Sequence, residues 1–373
     1  MKYIKLCEVC DFQGGSQPPK DEWSFDLKDG YIRMLQIRDF TQSERVTPEY
    51  IKITTTTKTC EADDILIARY GASLGKILTG LAGAYNVAIM KTIPDINKLE
   101  KKYLYYYLKS PVFQGFLLNV GSRAAQAGFN KNDLQDLIIP DISRSEQLKI
   151  VNILEHVESV INTRQYELQK LDELVKARFV EMFGDPLINS LGIETKSMTE
   201  VCDIIDGDRG KNYPTADEFS DEGYCLFLNA KNVTSTGFNF DACMFVTKEK
   251  DEILRKGKLT RGDVVLTTRG TLGNLAFYTE DIPYKHVRIN SGMVILRMKK
   301  DVVDEVYFIE QFKLQLADIK KKIASGSAQP QLPISTMNKI NILIPDIEKQ
   351  RQFAAFVQQV EKHKLTKVHH HIY

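Results

Sequence analysis

The sequence predicts an α+β chain built from two tandem copies of one domain, each followed by a helix. Three observations carry that reading. Short β-branched runs alternate with turn residues, a helix-period segment closes each block, and the whole pattern occurs twice in the same order. The echoes are collinear. "LCEVCDFQGG" (6–15) faces "MTEVCDIIDG" (198–207), and "MLQIRDFT" (34–41) faces "FLNAKNVT" (227–234). "DILIARYGASLGK" (64–76) faces "DVVLTTRGTLGN" (263–274). "GSRAAQAGFNKNDLQDLIIPDI" (121–142) faces "GSAQPQLPISTMNKINILIPDI" (326–347). Their offset drifts from 192 to 205, as loop insertions would make it.

Strands are expected at "YIRML", "YIKITTT", "DILIARY" and "VAIMKTI" in the first copy, and at "YCLFLNA", "GDVVLTTR" and "GMVILRM" in the second. One helix then follows in each, over "EKKYLYYYLKSPVFQGFLLNV" and "EVYFIEQFKLQLADIKKKIAS". The helical context assigns the aromatic run "YLYYYL" to core packing rather than to a base-stacking platform. A polar loop leads to a last strand that ends at Pro140 or Pro345. The resulting division is a first domain over 1–142, a central long helix over 143–186, a second domain over 187–347, and a distal helix, short or truncated, with a tail over 348–373. Each domain is long enough to bury its own core.

In the central segment Leu154, Ile161, Leu168, Val175 and Met182 recur every seven residues, with Val157 and Leu171 at the companion seam position. Arg164 and Arg178 interrupt that second seam. Ser145 with Glu146 and Gln147 starts the helix, and Gly184-Asp185-Pro186 stops it. Such a helix is roughly 58 Å long at ~1.5 Å per residue, and its apolar stripe needs a partner. Phe353, Phe356, Val357 and Val360 form a shorter stripe after Pro345 that can pair with part of it. The closing "TKVHHHIY" is read as a frayed end or a cloning feature rather than a metal site.

Composition narrows the function classes. A chain of 373 residues with 43% hydrophobic and 27% charged content describes a two-domain globular protein. Its net charge of +1 gives no global basic field and leaves local basic surfaces open. The lone C-x-x-C, Cys7 and Cys10, lacks the second pair that a zinc site needs. No signal peptide and no apolar run of ~20 residues is found, so a cytoplasmic protein with reduced thiols and no membrane contact is expected. Walker-type loops, the G-x-S-x-G elbow, H-E-x-x-H and the Asn/Asp-Pro-Pro-aromatic motif of amino-directed DNA methyltransferases are missing. "RYGASLG" and "RGTLG" lack the Lys-Ser/Thr of a phosphate loop and read as tight turns. Neither catalysis nor a metal is expected in this chain.

The layout resembles the specificity subunit of a bacterial or archaeal Type I restriction–modification system. The segments that carry the resemblance are "QGGSQPPK" (13–20), "DGDRGKNYP" (206–214), "DILIARYGASLGK", "DVVLTTRGTLGN", "IIPDI", "LIPDI" and "FVEMFGDP", placed on a repeated frame. The resemblance implies two target-recognition domains, each reading one half of a split double-stranded DNA site. It implies that the helices pair as an antiparallel coiled coil, a spacer and a dock for methyltransferase (modification) subunits. Those partners would bring S-adenosylmethionine, and a motor–nuclease (restriction) subunit would bring ATP and Mg chemistry, leaving no cofactor here. The short distal helix adds possible self-association. Competing readings are a protein-binding adaptor with duplicated domains and a fragment of a fused restriction–methylation enzyme.

Base edges are read by Arg, Lys, Asn and Gln in turns and loops that can enter a groove. Positions where both copies carry such residues come first: Gln36 and Arg38 with Asn229 and Lys231, and Gln126 with Gln331 and the nearby Gln329. Lys76, Arg123, Asn130 and Lys131 join them in the first copy, and Arg209, Lys211, Arg269 and Asn274 in the second. Any one of these also reads as a solvated surface residue or a part of the shared fold. The coiled-coil and partner set is Leu154, Val157, Ile161, Leu168, Leu171, Val175, Phe353, Phe356 and Val360.

Overall fold

The computed structural model describes residues 2–121, 128–324 and 331–369. The chain divides into two compact units, Met1–Arg164 and Gln165–Tyr373, and the division falls inside one unbroken helix, Arg144–Phe183. Ser143 opens that helix: Glu146 accepts hydrogen bonds from the Ser143 N–H at 2.9 Å and hydroxyl at 2.7 Å, a reciprocal cap.

The first unit holds an antiparallel four-stranded sheet in the order Cys10–Gly14, Ile89–Pro94, Leu66–Ala68, Ile77–Leu78. Beside it a five-stranded sheet runs Trp23–Ser24, Tyr50–Lys52, Tyr31–Leu35, Gly83–Tyr85, Thr59–Cys60, with one parallel pairing, Tyr31–Leu35 on Gly83–Tyr85. The second unit repeats the plan. Its four-stranded sheet runs Cys202–Asp206, Met293–Met298, Val264–Thr267, Leu275–Phe277, and its parallel pairing joins Cys225–Leu228 to Val287–Ile289. Leu66–Ala68 and Val264–Thr267 are buried at every residue, which is why they read as continuous apolar runs without alternation. An aspartate precedes each and pairs with a cation on the neighbouring strand: Asp64 with Lys91 at 2.5 Å, Asp263 with Arg297 at 2.8 Å.

The helical segments differ from expectation in one place. The first unit carries two helices, Lys101–Lys109 and Pro111–Gly121, where the apolar spacing predicts one. Pro111 has no N–H to donate and forces Ser110 into an extended conformation (ψ 154°), so the first helix ends there. The second copy has no proline at this point and runs unbroken over Glu305–Ala324. Tyr103, Leu104, Leu108, Phe113 and Leu117 face the first core, and Tyr307, Phe308, Phe312 and Leu316 the second.

Within the second unit the distal helix Ile347–His369 lies antiparallel to the end of the long helix. Phe353 packs on Phe179 and Phe183 at 5.4 and 5.7 Å, whereas Lys364, further along, pairs with Asp172 at 2.6 Å. Val175, Phe353 and Val360 are buried there, with Leu171 and Phe356 packed against them. The rest of the expected seam is uncovered among the described residues. Leu154 is half-buried, Val157 and Ile161 are 46% and 49% exposed, and Leu168 is 38% exposed. Within the second unit Lys364 stands opposite Asp172, and the covered stretch of the long helix runs from Leu171 to Phe183. No described helix is long and apolar enough to cross a membrane.

Candidate nucleic-acid interface

In the first unit the strand Tyr31–Leu35 ends at Gln36, which opens the short helix Ile37–Thr41. The Gln36 N–H donates to the buried Asp39 carboxylate at 2.9 Å, and Arg33 pairs with the same group at 2.8 Å. The Gln36 carboxamide turns elsewhere, to Glu49. That carboxylate, 9% exposed, accepts Gln36 Nε2 at 2.7 Å, Lys20 Nζ at 3.0 Å and the Arg38 guanidinium. Burial alone would raise the Glu49 carboxyl pKa; hydrogen bonds from Lys20 and Gln36 and the charges of Lys20 and Arg38 outweigh it and hold the group below its ordinary value. Lys20 also stands over the Trp23 ring at 3.5 Å. Gln36 and Arg38 are thus brought together, and Lys20, Trp23 and Glu49 join them without having been singled out in the sequence.

In the second unit three candidates gather at the turn Asn290–Gly292. Arg209 donates to the Ser291 carbonyl at 3.3 Å and pairs with Asp206 at 3.1 Å. Arg269 and Gln331 face each other in a β-bridge, and a Cβ added at Gly292 would meet the Arg269 Cβ at 3.9 Å. Gly207 lies so close to this turn that a Cβ there would collide with the Asn290 carbonyl oxygen. The first unit has the same construction, with Gly15 against the Asn86 carbonyl and a bridge from Tyr70 to Gly128. There the equivalent carbonyl, that of Val87, accepts from Arg69 at 3.1 Å. Each unit therefore places an arginine on the same turn, from different points of the chain. Arg69 escaped the sequence reading because it closes a buried strand; its place before the glycine turn is the signal that could have found it.

The other candidates are dispersed. Lys76, Lys211 and Lys231 are exposed. Asn130 caps its own turn, accepting from the Asn132 N–H at 2.8 Å, and Lys131 pairs with Asp11. Asn229 accepts from the Lys231 N–H at 2.9 Å, and Asn274 donates to the Val233 carbonyl at 3.0 Å, so both side chains are used within the fold. Arg123, Gln126 and Gln329 lie outside the described residues. No grouping of three or more His, Cys, Asp or Glu side chains that could hold a metal occurs among the described residues.

The family model described as the Type I restriction modification DNA specificity domain matches residues 1–173 and, a second time, 191–372. The chain belongs to this family. Two relatives from Methanocaldococcus jannaschii are named as specificity subunits of Type I restriction enzymes. The MjaVIII subunit is 22% identical over 337 residues, covering 85% of this chain and 76% of the relative. The MjaIX subunit is 21% identical over 383 residues, covering 95% and 85%. The fold is shared with two solved structures. A Type I restriction–modification S subunit from M. genitalium matches with TM-score 0.51 at 17% identity, over 98% of this chain and 90% of that one. A chain solved for the complex assembly and conformational transition of the type I R-M system matches with TM-score 0.53 at 18% identity, over 98% and 91%. The two specificity domains of this chain are the two halves of the repeat.

Proposed function

We propose that this chain is the DNA sequence-recognition subunit of a Type I restriction–modification complex, each unit reading one half of a bipartite duplex target. One observation carries the reading. The repeated specificity domain keeps its fold and turn but changes the side chains at equivalent positions: Gln36, Arg38 and Glu49 in one copy stand where Asn229, Lys231 and Met244 stand in the other. Two copies of one scaffold with different polar groups are what two unlike half-sites require. A helix of 40 residues, roughly 60 Å at ~1.5 Å per residue, serves as the spacer between half-sites and as the dock for modification subunits. Methyl transfer from S-adenosylmethionine and ATP- and Mg-dependent cleavage belong to the modification and motor–nuclease partners, in the cytoplasm. The chain itself supplies selection and register.

The test is base modification mapped across the genome in cells with and without this chain, its modification partner present in both. A split sequence modified only when the chain is present is the expected result. The reading fails if modification is unchanged by removing the chain, or if the assembled complex shows no preference among duplexes at moderate salt.

A further inference from the structure

We propose that Glu49 is a positioning residue that sets half-site selectivity in the first unit by fixing Lys20 and Arg38; this rests on the DNA-reading role proposed above. The first support is geometry. One buried carboxylate holds two cations and a carboxamide, Lys20 from one segment and Gln36 and Arg38 from the start of one short helix, while the Lys20 and Arg38 side chains stay 62% and 48% exposed. The anion is inside and the cations are presented outward. Trp23 restrains Lys20 from a second side, at 3.5 Å.

The second support is the repeat, which supplies an internal control. The Glu49 carbonyl accepts the Met34 N–H at 2.8 Å, and in the second unit the Met244 carbonyl accepts the Phe227 N–H at 2.8 Å. Met244 thus occupies the Glu49 position, so the scaffold is built equally well without a carboxylate there. Burying an anion is costly, and the fold does not demand this one. What it does is hold two long, rotamer-rich side chains in place before DNA arrives, which lowers the ordering cost of binding. Arg38 kept in one orientation can present its remaining donors to a base edge, and Lys20 is a point charge suited to phosphate. The second unit meets DNA without this device.

The sign of the charge change separates positioning from plain electrostatics. Glu49→Gln removes a negative charge beside the nucleic acid, which by itself strengthens binding to every duplex. A positioning role predicts lost discrimination in spite of that gain. The measurement uses the chain assembled with its modification subunits and a panel of target duplexes altered at single base pairs in either half-site. For Glu49→Gln and Glu49→Met, discrimination is expected to fall roughly ten-fold at positions in one half-site only, with melting temperature and the other half-site unchanged. Unchanged discrimination, equal loss in both half-sites, or failure of both variants to fold would each overturn the proposal. Absence of any duplex preference in the unsubstituted complex would instead defeat the function proposed above, and this inference with it.

Discussion

Gln147 and Gln350, one in each unit, make the same three hydrogen bonds in their own surroundings. The Gln147 Oε1 accepts the Glu100 N–H at 2.8 Å, and its Nε2 donates to the Lys98 and Ile142 carbonyls at 2.9 and 3.1 Å. The Gln350 Oε1 accepts the Asp304 N–H at 3.0 Å, and its Nε2 donates to the Val302 and Pro345 carbonyls at 3.4 and 2.8 Å. Both are buried, at 3% and 0% exposure. Each ties the first turn of an outgoing helix to the start of a helix of its own domain, Lys101–Lys109 or Glu305–Ala324, and the task needs a donor and an acceptor on one side chain. Gln147→Ala leaves a buried N–H and two carbonyls unpaired, with an expected cost of about 2–4 kcal/mol. Glu at the same position keeps the acceptor and loses the donor. Urea denaturation should show both variants unfolding earlier than the parent.

A second prediction concerns acid. Asp251 is buried between Arg288 Nε at 2.5 Å and Lys258, and Arg288 also donates to the Asp251, Leu254 and Lys256 carbonyls. Burial alone would raise the Asp251 carboxyl pKa; the two cations outweigh it and hold the group below its ordinary value. The folded pKa lies below the unfolded one, about 3.9, so the stabilisation is fully present above ~pH 4 and disappears as pH falls through the folded value. Asp251→Asn should cost about 3–5 kcal/mol at neutral pH by stranding Arg288, and should flatten the acid limb of stability. Denaturation midpoints measured as the pH falls from neutral into the acid range check both.

The half-covered helix predicts a contrast between equally apolar positions. Val157→Lys and Ile161→Lys alter exposed side chains and should change stability by no more than about 0.5 kcal/mol. They should nonetheless weaken assembly with modification subunits, read by sedimentation of the mixed proteins. Val175→Lys places a charge in the covered stretch and should destabilise the unit outright.

Arg209 and Arg269 predict a difference in kind. If Arg209 contacts phosphate, Arg209→Ala should weaken binding to all duplexes alike and lower the salt slope by about one. If Arg269, held beside Gln331, reaches a base, Arg269→Ala should cost roughly 1–3 kcal/mol and relax one position of one half-site. Titrations at several salt concentrations on matched and mismatched duplexes distinguish the two.

The parts of this protein that were legible in its sequence are those written in local order. Collinear echoes gave away the duplicated domain, and Ser145-Glu146-Gln147 and Gly184-Asp185-Pro186 bracketed the long helix to within a residue or two. The Pro111 break was equally visible, but apolar spacing on both sides of it invited one helix. The Glu49 cluster was not legible, because Lys20, Trp23, Gln36, Arg38 and Glu49 share no spacing rule; sheet pairing of Trp23–Ser24 and Tyr31–Leu35 with Tyr50–Lys52 assembles them. A heptad likewise states that a stripe wants cover, and says nothing of how far a partner in the same chain extends along it.

The pairing of Tyr3 with Pro140, and of Thr195 with Leu343, brings the incoming and outgoing strands of each domain side by side. A domain mounted this way is a cartridge with both leads at one socket. Another insert of the same family with the same leads can replace it without re-aiming the helix beyond, and target preference becomes exchangeable one half at a time. The same closure allows the chain to be opened at a loop and rejoined across the leads, a circular rearrangement that leaves every strand pairing of that domain in place.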